Sequence, residues 1–310
     1  MSPNRRGKRR RFLLGLALIF PLSGVARGLP SDDPARFSGE RAFEDLKRLV
    51  AFGPRPSGSK ALAEARRWIV RQLKEAGWQV EEDSFVAATP IGSIPMTNLV
   101  AKLPGARTQV VLIAGHYETK RFDDFYFAGA NDGGSSAAFL LEMARVLGKR
   151  KNLLTTWLVF FDGEEAAREW SSTDGLYGSR QLVARLSSSG ELDRIESMIL
   201  VDMVGDARLD IHREANSTRA LSDVVFKVAR QLGYAKYFPE ATHAVEDDHI
   251  PFVNAGVPAV DLIDLDYGPN NSYWHTANDT VEHCSPASLT IVGRVVLATL
   301  EQLERSLALK

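Results

Sequence analysis

The chain has 310 residues, of which 45% are hydrophobic and 25% are charged, a composition typical of globular proteins. This composition excludes the disordered, collagen-like and polytopic membrane classes of protein. Six basic residues lie in the first eleven positions, and without them the chain carries 32 basic and 39 acidic residues, so we expect no nucleic-acid partner. Cys284 is the only cysteine, which excludes an internal disulfide, every cysteine-based zinc ribbon and every CxxC redox motif.

The amino terminus has the pattern of an export signal. The apolar residues 12–26 follow the basic cluster directly, and this stretch suits a signal-peptide core and is short for a membrane-spanning helix. Residues 9–13 (RRRFL) also fit the twin-arginine pattern, which is typical of bacterial proteins that are exported folded. We therefore predict a signal peptide at residues 1–27 and a periplasmic or secreted bacterial protein. An uncleaved membrane anchor is the alternative.

The next segments predict two helices and then two strands. From about residue 34 onward the chain has no repeat, low-complexity tract or long linker, and we predict one catalytic domain over residues 34–310. Apolar periodicity predicts helices and strand-like stretches in the following order: helices over residues 40–52 and 59–76, then strands over residues 79–88 and 96–103. The helices are separated by a turn rich in proline and glycine, residues 53–58.

A regular alternation of strands and helices follows. Four short apolar runs lack polar alternation, as strands buried on both faces do: residues 110–114, 157–161, 198–201 and 259–263. Helical periodicities lie between or after them: residues 135–147, 177–186, 218–232 and 289–307. This alternation predicts an α/β fold, a three-layer sandwich with a central, mostly parallel mixed β-sheet flanked by helices. Ligands bind such sheets beyond the carboxyl ends of the strands.

Metal-binding residue types follow these strands or occupy the loops between them. They are His116, Asp132, Glu165, Asp202 and His275. Any one of them alone is more often a helix cap or a turn residue. The whole set at one sheet edge, with carboxylates and imidazoles but no thiolate, instead favours a catalytic zinc ion, or a related metal ion, with an open coordination position.

Two adjacent glutamates and two tryptophans complete the candidate site. Glu164 and Glu165 point to opposite sides of an extended segment, so one can hold a metal while the other transfers a proton; spacing alone does not assign the roles. Trp170 and Trp274 are close to these residues in sequence and are candidates for the pocket wall, although core packing is the usual role of a tryptophan. Residues 119–127 and 265–273 have the composition of mobile pocket walls.

Several longer motifs resemble the animal-type zinc-dependent glutaminyl-peptide cyclotransferases (glutaminyl cyclases), which share the fold of the di-zinc aminopeptidases. The similarity covers nearly the whole chain after the signal. The matching motifs are GPRPSGS at 53–59, GHYE at 115–118, GANDGGS at 129–135, FFDGEEA at 160–166, DGLYGSR at 174–180, DMVGD at 202–206, EDDHIPF at 246–252 and WHT at 274–276.

The resemblance implies one zinc ion, held by Asp132, Glu165 and His275. It also implies that Glu164 is the proton-transferring residue. The implied reaction is a zinc-assisted acyl transfer, in which the N-terminal glutamine of a peptide or protein cyclises to pyroglutamate and releases ammonia.

The resemblance implies roles for four further side chains. Asp202 and Asp247 are expected to form a hydrogen-bonded acidic pair near the reacting amine, and Trp170 and Trp274 to line the pocket for the glutaminyl side chain.

A zinc-dependent aminopeptidase that removes N-terminal residues is the alternative function, and a non-catalytic binding domain is a third. His116 and Asp202 complete the ligand set of a two-zinc aminopeptidase, so the residues leave a second metal open. Asp247 and Trp274 stand where the related aminopeptidases typically have a serine and a tyrosine, which favours the cyclase. The oligomeric state of the protein does not follow from the sequence.

Overall fold

The computed structural model describes residues 37–308, and the signal peptide predicted at residues 1–27 lies outside them. The helices are α1 (Gly39–Val50), α2 (Lys60–Glu75), α3 (Ser136–Leu147), α4 (Tyr177–Ser189), α5 (Arg219–Gln231), α6 (His249–Asn254) and α7 (Pro286–Ala308). The strands are β1 (Gln79–Thr89), β2 (Gly92–Leu103), β3 (Arg107–His116), β4 (Leu154–Phe161), β5 (Ile195–Asp202), β6 (Arg213–Glu214), β7 (Thr242–His243) and β8 (Ala259–Ile263).

Serine caps fix where the first two helices begin. Ser38 precedes α1 and Ser59 precedes α2, and each serine side chain accepts a hydrogen bond from the backbone N–H three residues further on. The observed helices therefore begin within one residue of the predicted positions. Ser59, predicted as the first residue of the second helix, is its cap.

Six strands form one sheet, in the order β1-β2-β4-β3-β5-β8. Strands β4, β3, β5 and β8 run parallel to one another, whereas β1 pairs antiparallel with β2 and β2 pairs antiparallel with β4. The carboxyl ends of the four parallel strands therefore meet at one edge of the sheet. His116 ends β3 and Asp202 ends β5 at this edge, and Asp162 follows the end of β4.

Hydrophobic cores cover both faces of the sheet. Val111 and Ile113 of β3 pack into a core with helices α1, α3, α5 and α7, whereas their neighbours Val110 and Leu112 pack into a second core with α4 and α6. Alternate residues of a strand point to opposite faces, so a strand between two cores is apolar along its whole length. The sheet thus lies between two helical layers, which confirms the predicted α/β three-layer fold.

Each predicted apolar run lies within an observed strand: β8 coincides with residues 259–263, and the other three strands extend beyond their runs. Strands β3 and β5 extend beyond residues 110–114 and 198–201 because backbone pairing continues past the apolar runs. Helix α6 and the two-residue strands β6 and β7 were not predicted, since such short elements have no recognisable period. Within residues 37–308, no helix combines the length and the apolar character that crossing a membrane requires.

The predicted turn at residues 53–58 contains a fully buried arginine. The Arg55 guanidinium donates to the carbonyl oxygen of Tyr117 at 3.1 Å and to those of Ala128 and Gly129 at 2.8 Å each. Burial lowers the pKa of Arg55 to about 10, so the side chain stays charged at neutral pH. Arg55 therefore holds together the two ends of residues 117–129, which we name the site loop.

We expect Arg55→Met to lower the free energy of unfolding by about 2–3 kcal/mol, because buried carbonyl groups lose their donor while the cost of burying the charge disappears. Urea denaturation followed by circular dichroism measures this change. Arg71→Met, at an exposed position on α2, is the matched control. An unfolding midpoint for Arg55→Met equal to that of the control would contradict this role.

Candidate metal and catalytic site

The three ligands implied by the resemblance lie together at the carboxyl edge of the sheet. Asp132, Glu165 and His275 each offer a ligand atom, and these atoms all lie within 4.8 Å of one another. His275 Nε2 is 2.9 Å from Glu165 Oε1 and 3.2 Å from Asp132 Oδ2. The chain thus brings two carboxylates and one imidazole to a common point from positions up to 143 residues apart.

The chemistry of this group fits a divalent metal ion. Asp132 Oδ2 is buried and makes no hydrogen bond with the described residues. Burial opposes a positive charge on His275, yet its contacts with Asp132 and Glu165 raise its pKa to about 10. The carboxylates therefore favour a positive charge at this point. A zinc ion suits the same oxygen and nitrogen donors and leaves a position for substrate.

An irregular turn before α3 places Asp132. The backbone of residues 130–135 winds irregularly, and Gly133 adopts φ +75° there. A Cβ at Gly133 would lie 2.1 Å from the carbonyl oxygen of Glu118, so only glycine fits. Asp279 accepts hydrogen bonds from the backbone N–H groups of Asn131 (2.7 Å) and Asp132 (3.1 Å), which fixes the turn from the opposite side.

Asp279 is a supporting residue that the sequence analysis missed. Its carboxylate also accepts a hydrogen bond from the Tyr267 hydroxyl, at 3.0 Å. Burial and the nearby charge of Asp132 raise the pKa of Asp279 to about 7. Its position four residues after His275 was the one available signal, and a single aspartate in a loop is too common to be singled out.

We expect Asp279→Asn to weaken zinc binding by about 10–100-fold, the usual cost of losing an outer-shell partner, because the new amide N–H₂ faces backbone donors instead of accepting from them. Competition with a chromogenic chelator measures the affinity. Asp266→Asn, at an exposed position in the neighbouring loop, is the control. Equal zinc affinities in the two variants would contradict the proposed support.

His275 has an unusual backbone conformation and aromatic neighbours. Its backbone φ is +53°, a conformation that residues other than glycine rarely adopt. The Trp274 ring stacks on the imidazole with centroids 4.1 Å apart, and the rings of Phe122 and Phe127 meet it edge-on at 5.8 and 6.0 Å. These contacts hold the imidazole with Nε2 toward the two carboxylates.

The adjacent glutamates after β4 face different partners, as their spacing predicts. Glu165 Oε1 faces His275, whereas Glu164 Oε2 lies 3.9 Å from His116 Nδ1. Burial raises the pKa of Glu164 well above its ordinary value, and the negative charge of Glu165 raises it further. This shift favours the protonated form of Glu164, as the role of a general acid requires.

His116 and Asp202 form a second group beside the first. His116 Nε2 is 3.2 Å from both Asp132 Oδ1 and Asp202 Oδ1, so Asp132 contacts both groups. Glu118 Oε1 lies 3.6 Å from the other ring nitrogen of His116. His116 and Asp202 are the two residues for which the sequence left a second metal ion open.

The hydrogen bond expected between Asp202 and Asp247 is not formed. Asp247 Oδ1 accepts from the backbone N–H of Asp248, and Asp247 Oδ2 has no partner among the described residues. Asp202 instead contacts His116, whose imidazole offers a donor that a second carboxylate lacks. Burial and the charge of Asp202 raise the pKa of Asp247 to about 7. The two aspartates nevertheless border the same cavity.

A cavity of about 630 Å³ opens over these groups. Trp170 and Trp274 line it, and each is 41% exposed. The remaining lining residues are Lys120, Asp132, Glu164, Glu165, Arg168, Glu169, Asp202, Met203, Val245, Glu246, Asp247, Ile263, Leu265 and His275. The volume is in the usual range for small-molecule sites, and both predicted wall segments contribute to it.

Comparison with known proteins agrees with this arrangement. The model of peptidase family M28 matches residues 98–300. The glutaminyl-peptide cyclotransferase-like protein of Bos taurus is 33% identical over 93% of this chain and 82% of its own length. The glutaminyl-peptide cyclotransferase of Drosophila melanogaster is 30% identical over 78% of this chain and 76% of its own.

Solved structures give the same result. The glutaminyl cyclase of an Acidobacteriales bacterium has a TM-score of 0.85 and 40% identity, covering 90% of this chain and 99% of that one. A Zn-dependent exopeptidase from Parabacteroides distasonis has a TM-score of 0.78 and 26% identity, covering 86% and 98%. The chain therefore belongs to peptidase family M28 and, within it, to the glutaminyl-peptide cyclotransferases.

Proposed function

We propose that this protein cyclises the N-terminal glutamine of peptides or proteins to pyroglutamate and releases ammonia. The observation that carries the proposal is the pocket in which Asp132, Glu165 and His275 converge beside the buried carboxyl group of Glu164. We further propose that residues 34–310 form the catalytic domain and that these three residues hold one zinc ion. Relatives named glutaminyl-peptide cyclotransferase support the assignment.

The cyclisation reaction places three requirements on the protein side chains: substrate conformation, proton transfer and exclusion of water. The α-amine of the glutamine attacks its own γ-carbonyl carbon, a C–N bond forms, and the original amide C–N bond breaks with loss of ammonia. A bound zinc ion supplies Lewis-acid polarisation of the γ-carbonyl oxygen. The protein side chains must hold the folded-back conformer, move one proton and exclude water.

Glu164 is placed to move the proton. Its carboxyl group lines the cavity next to Glu165, and burial raises its pKa. As a carboxylate, Glu164 takes a proton from the attacking amine; as a carboxylic acid, it returns that proton to the departing nitrogen. The protein therefore ends the reaction in the protonation state in which it began.

The cavity walls suit the other two requirements. Trp170 and Trp274 present flat apolar surfaces that can enclose a bent glutaminyl side chain, and Ile263 adds an aliphatic surface. Asp202 and Asp247 border the same cavity, and a carboxylate there can orient the substrate amine by hydrogen bonding. Excluding water matters because water would hydrolyse the amide to glutamate.

One observation favours the aminopeptidase as a second candidate. Asp132 lies between the His275 group and the second group of His116 and Asp202, so the pocket holds enough ligands for two metal ions. Two metal ions can clamp an attacking water against a peptide carbonyl, which the cyclase reaction does not need.

Two peptides distinguish the candidates. The purified protein is incubated with a peptide that begins with glutamine and one that begins with leucine, and the products are followed by mass spectrometry. Loss of ammonia at constant chain length supports the cyclase. Release of a free amino acid supports the peptidase. Zinc content is an independent readout: one tightly bound ion per chain supports the cyclase and two support the peptidase.

We also propose that residues 1–27 direct export, to the periplasm or the medium of a bacterial cell. The supporting observation is the sequence pattern of a basic cluster followed by an apolar stretch. Cell fractionation of a bacterium that expresses the full chain tests this, with mass spectrometry of the mature amino terminus. A cytoplasmic protein with residues 1–27 intact would contradict it.

A further inference from the structure

Lys120 of the site loop contacts one of the three candidate metal ligands. Its Nζ lies 3.1 Å from Glu165 Oε2 and 3.5 Å from the carbonyl oxygen of Ala166. Only 15% of the Lys120 side chain and 7% of the Glu165 side chain are exposed. Lys120 forms no other salt bridge with the described part of the chain. The ammonium group is therefore largely committed to this one carboxylate.

The contact selects which oxygen of Glu165 faces the site. Oε2 is held by Lys120, and the other oxygen, Oε1, points to His275 Nε2 at 2.9 Å. The backbone N–H of Glu165 also donates to Glu118 Oε1 at 3.2 Å. Residues of the site loop therefore restrain Glu165 at both its backbone and its side chain.

The site loop is itself firmly anchored next to Lys120. Thr119 exchanges two hydrogen bonds with Arg55, one through its hydroxyl at 3.1 Å and one through its N–H at 3.3 Å. The Arg55 guanidinium holds the two ends of the loop. Lys120 thus extends from a fixed point of the backbone, which limits the positions that its ammonium group can reach.

We propose that Lys120 is a positioning residue for the metal site: it engages one oxygen of Glu165 and so presents the other to the metal. This inference rests on the zinc site of the proposed function. Two effects of Lys120 on metal affinity have opposite signs. Orienting Glu165 strengthens binding, whereas the repulsion between an ammonium group and a dication weakens it. The proposal states that orientation outweighs repulsion.

Zinc affinity of the full chain, measured by chelator competition at fixed pH and ionic strength, tests this balance. We expect Lys120→Met to bind zinc about 10–100-fold more weakly than wild type, as loss of an outer-shell partner typically does. Lys120→Arg keeps a charged donor and is expected to stay close to wild type. Arg168→Met removes a positive charge from an exposed position in the same cavity and controls for repulsion alone.

A spectroscopic readout separates orientation from a general loss of stability. With Co²⁺ in place of zinc, the visible absorption bands report coordination geometry; we expect them to change in Lys120→Met and not in Lys120→Arg. Zinc affinity in Lys120→Met equal to or above wild type would overturn the proposal, and so would unchanged cobalt bands. A wild-type chain that binds no zinc would instead overturn the proposed function, and that result is visible before any variant is made.

Discussion

Glu164→Gln is expected to bind zinc like wild type and to lose about 10²–10⁴-fold in kcat, the usual contribution of a general acid or base. The amide keeps the size of the side chain but cannot accept the proton of the attacking amine. The ligand atoms of Asp132, Glu165 and His275 converge without Glu164, so metal binding should survive. Release of ammonia from a Gln-initiated peptide, followed in a coupled assay, measures kcat and KM separately.

The control for this variant is a glutamate outside the site. Glu75→Gln, at an exposed position on α2, makes the same substitution outside the site and should keep wild-type turnover. A fall in kcat with little change in KM for Glu164→Gln would indicate loss of an interaction made in the transition state. Turnover equal to that of Glu75→Gln would refute Glu164 as the proton carrier.

His275→Ala is expected to lose zinc and activity together. The variant lacks one of the three protein ligands of the zinc ion. Its zinc affinity should therefore fall further than it does on loss of an outer-shell partner, which costs about 10–100-fold. The melting temperature of wild type should rise when zinc is added, because a ligand that binds only the folded state stabilises it. In His275→Ala this rise should be absent at the same zinc concentration.

His212→Ala provides the comparison for the histidine variant. His212 pairs with Asp210 and belongs to neither of the two groups of candidate metal ligands. The His212→Ala protein should match wild type in zinc affinity and in the rise of its melting temperature when zinc is added. A His275→Ala protein that retains one zinc per chain and normal turnover would show that the metal is held elsewhere.

Buried carboxyl groups are concentrated at the carboxyl edge of the sheet, beside the proposed metal site. Glu164, Asp247, Asp248 and Asp261 are all buried near one edge of the sheet, and burial raises the pKa of each. Such carboxyl groups are stable only if they hold protons or face positive charge. Metal binding at this edge should therefore contribute to stability as well as to chemistry.

The sequence alone was sufficient for the α/β fold and for the side chains that converge at the sheet edge. Continuous apolar runs such as residues 157–161 report burial on both faces, and parallel strands place the residues after them at a common edge. Motifs such as FFDGEEA indicated the family, because several motifs matched in the same order along the chain.

Only the tertiary structure decided how those side chains are supported. The pairing of Lys120 with Glu165, the bonds from Asp279 to the Asp132 turn and the contacts of Arg55 join residues 45 to 148 positions apart. Local periodicity and residue type do not predict contacts between residues so far apart in sequence. Such contacts depend on how whole helices, strands and loops pack against one another. For the same reason, the sequence could not predict that Asp202 contacts His116 rather than Asp247.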